Sequence, residues 1–256
     1  MSKNKQWQVR WEGLVPARPE AVWEAVTVNP VGYLWPIAYE PRLGGAERGL
    51  TGGGGTVTAW EPHRHFATRT RPESERDGLN ELDYVFEPHD GGATTYLRYL
   101  HRAEIPEADF DRQLTMCRAH TAFYHHSLGV YAAHFAGRVP AYVTCDGPDA
   151  TAGSGGAAFA AVRRALGLGD DVVAGDPIAL APAGLDPIDG VVDYATGPFL
   201  GIRTADALYR IYGRDRWGFP VGVAHHLFAP GADADAATAG WSRWLDDACS
   251  TVEAGA

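Results

Sequence analysis

Positive charge, thiols and long apolar runs are all scarce in this chain. Lysine occurs only at Lys3 and Lys5, so arginine supplies nearly all of the 22 cationic residues set against 32 carboxylates, and the formal charge is -10. A surface of that sign lacks the phosphate-neutralising term that dominates nucleic-acid affinity and is repelled by anionic lipid. Neither nucleic acid nor a membrane is therefore an expected partner. Three cysteines, Cys117, Cys145 and Cys249, are odd in number, far apart and never spaced as CxxC. That excludes a disulfide framework and a zinc knuckle and points to a reducing, cytoplasmic setting. No stretch approaches the roughly 18 apolar residues of a membrane span, and residues 1–10 are polar, without the apolar core of a secretory leader. What remains is 45% hydrophobic and 21% charged over 256 residues, an ordinary globular composition with length for one large domain or two smaller ones.

Against these absences stands one long stripe. Phe110, Leu114, Cys117, Thr121, Tyr124, Leu128, Tyr131 and Phe135 recur at alternating steps of four and three, which is one face of a helix. Glu107, Asp109 and Asp111 follow Pro106 at its start and Gly137 stands at its end, as the helix dipole and a glycine C-cap favour, so the spacing predicts a helix over 107–137. A helix that only closes a core is usually filled with aliphatic residues. Threonine, cysteine and two tyrosines on this one suggest a face that lines a cavity, although packing with hydroxyls at the rim would use the same pattern.

Before this helix the text is mostly strand. Trp7, Val9, Trp11 and Val15 alternate with polar residues, and an amphipathic turn or two over Glu20 to Val26 ends at Asn29-Pro30. Tyr39 to Gly45 reads as a strand entering a glycine turn, and Thr56 to Trp60 and His65 to Thr70 as two more. Leu82, Tyr84 and Phe86 turn back through Asp90-Gly91-Gly92 into Leu97, Tyr99, His101, Ala103 and Ile105. After residue 138 the same order returns in compressed form. A strand at Tyr142 to Cys145, a helix over Gly155 to Leu166 and strands at 178–180, 191–194, 199–204, 207–212 and 221–228 precede a final helix. Ala237, Trp241, Trp244, Leu245, Ala248 and Val252 share one side of that helix, with Asp233 or Asp235 as its N-cap.

The run Val15-Pro16-Ala17-Arg18-Pro19-Glu20-Ala21-Val22-Trp23-Glu24-Ala25-Val26, then Gly44-Gly45, Trp60-Glu61-Pro62, Phe86-Glu87-Pro88-His89-Asp90-Gly91-Gly92 and His134-Phe135-Ala136-Gly137-Arg138 resemble the START/Bet v 1-like helix-grip superfamily. Among its branches the one named after activators of the Hsp90 ATPase is most similar, over about residues 7 to 138. The resemblance implies an α+β fold of two tandem helix-grip units, 1–138 and 139–256, each an antiparallel sheet wrapped around a long C-terminal helix. Tandem proteins of this kind are similar to those of bacterial polyketide and enediyne pathways, where the fold serves as aromatase/cyclase, carrier or self-protection protein.

Chemistry is sparser than aromatic surface. His63 and His65 share a strand face, but no third ligand stands at a helpful spacing, so neither a metal nor any other cofactor is expected. The pair His225-His226 adds no third ligand either, and the adjacent His125-His126, about 100° apart on the helix, reads as a solvated edge. Ser154 lies in Ala-Gly-Ser-Gly-Gly rather than a nucleophile elbow, and Gly52 to Gly55 lacks the Lys and Ser/Thr of a phosphate loop and reads as a mobile hairpin. Cys117 has His120 three positions on, side by side on a helix, which is the geometry of an activated thiol or, more commonly, of a buried structural cysteine.

Eight Trp, eleven Tyr and nine Phe can wall a slot with flat surfaces and a few polar handles. The candidate lining is Trp35, Tyr39, Trp60, Tyr84, Phe86, Tyr99, Leu128 and Tyr131 in the first unit, and Tyr194, Phe199, Tyr209, Trp217, His225, Trp241 and Trp244 in the second. The expected function is binding of an elongated hydrophobic small molecule, a linear polyene or polyketide-type intermediate, by a monomer or weak dimer. Apolar burial at about 25 cal/mol per Å² would drive that binding. The alternatives are a cyclase or dehydratase with His101 or His120 as base and Tyr124 or Tyr99 as acid, a sequestering resistance protein, and a chaperone-regulating module.

Overall fold

In a computed structural model, which describes residues 4–70 and 79–252, the chain divides into two units, Met1–Val139 and Pro140–Ala256. The first is built on seven antiparallel strands: β1 (Asn4–Val15), β2 (Ala38–Tyr39), β3 (Ala46–Arg48), β4 (Gly55–Glu61), β5 (His65–Thr70), β6 (Asn80–His89) and β7 (Thr94–Pro106). Their order is β1-β7-β6-β5-β4-β3-β2, so the opening strand pairs with the closing one and the rest form a meander. The turn from β6 to β7 needs three successive positive φ angles, at Asp90 (49°), Gly91 (62°) and Gly92 (86°), which explains the Asp-Gly-Gly there. Between β1 and β2, α1 (Pro19–Thr27) starts on a proline and buries Val22, Trp23 and Val26. Its Trp23 meets Trp60 edge-on at 5.1 Å and Phe86 at 5.4 Å.

The predicted helix over 107–137 is shorter in the structure. A 3-10 turn spans Glu107–Asp109, and α2 runs Phe110–His134 before Gly137 takes φ 76° and ends the segment. This helix packs against β1, so the first unit is an antiparallel sheet with a long helix at its C-terminal end. β2 is only two residues long, and β3 was not foreseen, because Ala46–Arg48 shows no apolar alternation.

Strand register lays the inward side chains out in rows. Trp11, Tyr99, Tyr84, Phe66 and Trp60 stand opposite one another across β1, β7, β6, β5 and β4. The next row is Val9, His101, Leu82, Thr68 and Val57, and the row beyond carries Trp7, Ala103 and Asn80. The period-2 pleat thus gathers one aromatic row and, beside it, a row holding the imidazole of His101.

The second unit repeats this topology with one strand fewer. β8 (Ala141–Asp146), α3 (Ala157–Ala165), β9 (Pro177–Leu180), β10 (Ile188–Thr196), β11 (Phe199–Arg203), β12 (Ala207–Tyr212), β13 (Gly222–Leu227) and α4 (Ala234–Ala248) follow in sequence. The sheet order is β8-β13-β12-β11-β10-β9, and α4 lies against β8 as α2 lies against β1. Asp233 caps α4, its Oδ1 accepting from the N–H groups of Asp235 and Ala236 at 3.0 Å each. The start of α3 is held from a distance. Oδ2 of buried Asp215 accepts from Ser154 Oγ at 2.7 Å and from the N–H groups of Gly156 at 2.9 Å and Ala158 at 3.1 Å. Ser154 therefore belongs to a helix cap. The space between this sheet and its helices is filled by Val143, Val162, Val192, Leu200, Ile211 and Leu245 with Trp241 and Trp244, an aliphatic core unlike the aromatic one of the first unit.

Candidate ligand-binding site

In the first unit the aromatic row is continuous. Ring centroids lie 5.7 Å apart for Trp60 and Phe66, 6.0 Å for Phe66 and Tyr84, and 4.8 Å for Tyr84 and Tyr99, with Tyr39 against Phe66 at 4.8 Å. From the helix side it is met by His125. This imidazole stacks on Trp11 at 4.4 Å with planes 19° apart and lies 4.5 Å from Tyr99. The reading of His125-His126 as a solvated edge is thus corrected at His125, which is only 6% exposed. A step of four from Thr121 reaches position 125 and a step of three reaches 124, and the helix turns 125 inward. Tyr124 stands instead on the helix flank, 5.7 Å from Trp35 and 5.5 Å from His120.

Burial sets the chemistry of this interior. His125 Nδ1–H donates to the Thr121 carbonyl at 2.8 Å, leaving Nε2 as a buried acceptor without a partner. Desolvation holds this imidazole down at about 4. Tyr33, Tyr39 and Tyr99 are raised by burial first and then by neighbouring groups, Tyr84 among them, and Tyr84 itself is raised by burial against a hydrogen bond with Tyr33 that lowers it, so four neutral phenols gather in the interior. Trp7 Nε1 is a buried donor without a partner.

His101 is differently committed. Its Nε2–H donates to Asn80 Oδ1 at 2.6 Å, and its Nδ1 accepts from the Cys117 thiol at 3.1 Å. Desolvation holds His101 down at about 4 and pushes Cys117 up to about 12, so both groups are neutral. His120, the sequence-adjacent partner expected for Cys117, turns its Nδ1–H to the Met116 carbonyl at 2.9 Å.

The remaining candidates separate by role. Leu128 is fully buried on α2. The Tyr131 hydroxyl accepts from Asn29 Nδ2 at 2.7 Å and donates to the Arg138 carbonyl at 3.1 Å, which ties the end of α1 to the end of α2. Trp35 Nε1 donates to the Gly49 carbonyl at 2.7 Å. In the second unit Tyr209, His225, Trp241 and Trp244 come together, with His225 4.3 Å from Trp241 and 5.1 Å from Tyr209. Burial lowers His225 first, and its Nδ1 accepts the Arg210 N–H at 3.0 Å. Phe199 and Tyr194 are not part of that group. Leu200 and Ile202 take the core face of β11, so alternation sends Phe199 to the other face with Trp217, 6.1 Å away, and Tyr194 pairs opposite Gly201 on that same face.

Two surface hollows adjoin these groups. One of about 400 Å³ lies between β1 and α2 and is lined by Val9, Trp11, Arg10, Arg118, Thr121 and Ala122, among others. The other, of about 540 Å³, lies beside α4 and is lined by Tyr209, Trp241, Leu185, Asp186, Asp206 and Arg243, among others. Both volumes fall in the range of small-molecule sites. Among the described residues no helix is long and apolar enough to cross a membrane.

No protein-family model matches the chain, and no curated protein matches it. Solved structures similar to it include protein MLL2253 from Mesorhizobium loti, at 18% identity over 50% of this chain and 98% of that one, TM-score 0.43. CalU16 from Micromonospora echinospora matches at 15% identity over 51% of this chain and 87% of that one, TM-score 0.40. Ara h 8.0201 matches at 11% identity over 50% and 99%, TM-score 0.37.

Proposed function

We propose that the first unit binds an elongated, ring-bearing or polyene small molecule of the polyketide type, entering by the hollow between β1 and α2 and lying along the aromatic row. The observation that carries this reading is that two buried polar atoms beside the aromatic row have no partner, Trp7 Nε1 as donor and His125 Nε2 as acceptor. Buried polar groups in native proteins are almost always satisfied, and an open donor and an open acceptor beside an aromatic surface suit a ligand carrying both a carbonyl and a hydroxyl. Trp11 and Thr121 line the hollow, and Trp11 stacks on His125, so the opening and the open acceptor adjoin. Arg10 and Arg118 at its edge favour a ligand with an acidic end.

The test uses cis-parinaric acid, a linear fluorescent tetraene with a carboxylate. Saturable enhancement of its emission is expected, and Thr121→Trp, which fills the hollow, abolishes it. His125→Phe removes one acceptor and weakens binding about 5- to 10-fold, the worth of one net hydrogen bond. Absence of saturable binding, or equal binding by Thr121→Trp, refutes the assignment.

A further inference from the structure

We propose that Cys117, His101 and Asn80 form a nucleophilic acyl-transfer site, which takes an activated ester or thioester of an apolar acid bound against α2. The proposal rests on the ligand-binding reading for its apolar acyl group and goes beyond it in chemistry.

Three elements converge to build the set. Cys117 comes from α2, His101 from β7 and Asn80 from the first residue of β6, and the contacts run thiol to Nδ1 at 3.1 Å and Nε2–H to amide oxygen at 2.6 Å. That is the order of nucleophile, base and orienting group by which such sites are recognised on unrelated folds, Cys-His-Asn among them. Asn80 fixes the tautomer: its oxygen holds the proton on Nε2 and so leaves the Nδ1 lone pair facing sulfur. Trp7 adds an independent feature. Its ring lies 4.8 Å from the His101 ring, and its buried Nε1–H has no partner, so a hydrogen-bond donor stands uncommitted beside the imidazole, as stabilisation of a developing oxyanion requires. Access is from the N-terminal half of α2, where Phe110, Leu114 and Cys117 are only partly buried against Trp7, Val9 and Ala103. Thr121, which lines the hollow between β1 and α2, places Oγ1 3.9 Å from Sγ.

The step conserves atoms and charge. Sγ attacks the acyl carbon and forms the S–C bond while the thiol proton passes to His101 Nδ1. The tetrahedral oxyanion then collapses, the bond to the leaving alcohol or thiol breaks, and that group takes the proton from Nδ1. The products are S-acyl-Cys117 and the free alcohol or thiol, and water entering by the same route in reverse releases the acid and restores the thiol. Because thiol and imidazole are both neutral at rest, proton transfer is coupled to bond formation, and chemistry awaits a bound electrophile.

The experiment treats the full chain with p-nitrophenyl hexanoate. A burst of p-nitrophenolate approaching one equivalent is expected, with a hexanoyl group mapped to Cys117 by peptide mass spectrometry on the unaltered protein. Cys117→Ser removes that adduct. Asn80→Ala slows the burst by about 10²-fold or more, the scale of a lost general base, while Asn80→Asp, which also accepts from Nε2–H, restores much of the rate. Cis-parinaric acid binding separates the two readings. Retained binding with no adduct, or an adduct on Cys145 or Cys249 alone, overturns the acyl-transfer site and leaves the ligand site standing. Loss of both binding and adduct overturns both.

Discussion

Lowering the pH from 7.5 to 5 is expected to destabilise the first unit by about 4 kcal/mol, through two imidazoles that burial keeps neutral. Burial holds both His101 and His125 down at about 4, whereas an unfolded chain titrates its histidines near 6.5. Above the unfolded value neither state binds the proton, so the two groups are neutral toward stability there. As pH falls below 6.5 the unfolded chain takes up one proton per imidazole and the folded chain does not. The unfolded state then binds more protons, and stability falls with pH by about 1.4 kcal/mol per unit for each residue until the folded value is reached. At pH 5 this amounts to about 2 kcal/mol for each histidine, opposed only so far as Glu47, whose carboxyl burial raises, takes up a proton in the folded state. Urea unfolding at pH 7.5, 6 and 5, followed by tryptophan emission and far-UV circular dichroism, measures the effect. In His125→Leu the loss between pH 7.5 and 5 shrinks by about half, since one of the two titrating groups is gone. A change under about 1 kcal/mol in the unaltered protein, or an undiminished change in His125→Leu, would refute the placement of these rings in a desolvated interior. Burial also lowers His225, so the second unit loses stability in the same direction over the same window.

Three further outcomes follow from particular contacts. Asp215→Ala leaves the N–H groups of Gly156 and Ala158 and the Ser154 hydroxyl without their carboxylate, and is expected to cost about 2–4 kcal/mol by calorimetry of the second unit. A loss below about 1 kcal/mol would show that α3 does not depend on this cap. At Gly32 an added Cβ would lie 2.5 Å from Tyr131 Cζ and 2.9 Å from its Cδ2, too close for contact, so Gly32→Ala costs about 1–3 kcal/mol, and a Tyr131→Ala background removes most of that cost in a double-mutant cycle. Asp193 receives both Nη1 and Nη2 of Arg210, at 3.0 and 2.8 Å, and Asp193→Ala, which removes the carboxylate from that buried guanidinium, is expected to destabilise by about 3–5 kcal/mol, read by thermal unfolding.

The alternation of Trp7, Val9 and Trp11 and of Leu82, Tyr84 and Phe86 names the inward face of each strand, because a pleat leaves no freedom once one buried residue is fixed. Carried two residues further back, the same alternation puts Asn80 on the face of Leu82, so this member of the Cys117 set was within reach of the sequence. Its pairing with His101 was not. That contact depends on β6 and β7 standing in a register where Asn80 faces Ala103 and Leu82 faces His101, and register is a property of two strands together.

The helix hid more, for a reason of periodicity. Steps of three and four both approximate 3.6 residues per turn, so a stripe written through Tyr124 has an equally lawful neighbour through His125. Which of the two turns inward is decided by how α2 crosses β1, and Trp11 offers a flat face there that an imidazole fills by stacking at 4.4 Å. The same crossing takes Cys117 from the sequence neighbour His120 to His101 on the sheet. A pair three apart on a helix is always close, and so says little about function. A thiol held by an imidazole from another element, itself oriented by a third, requires the fold to bring them together, which is why the acyl-transfer assignment is placed on that set and the burst from an activated ester decides it.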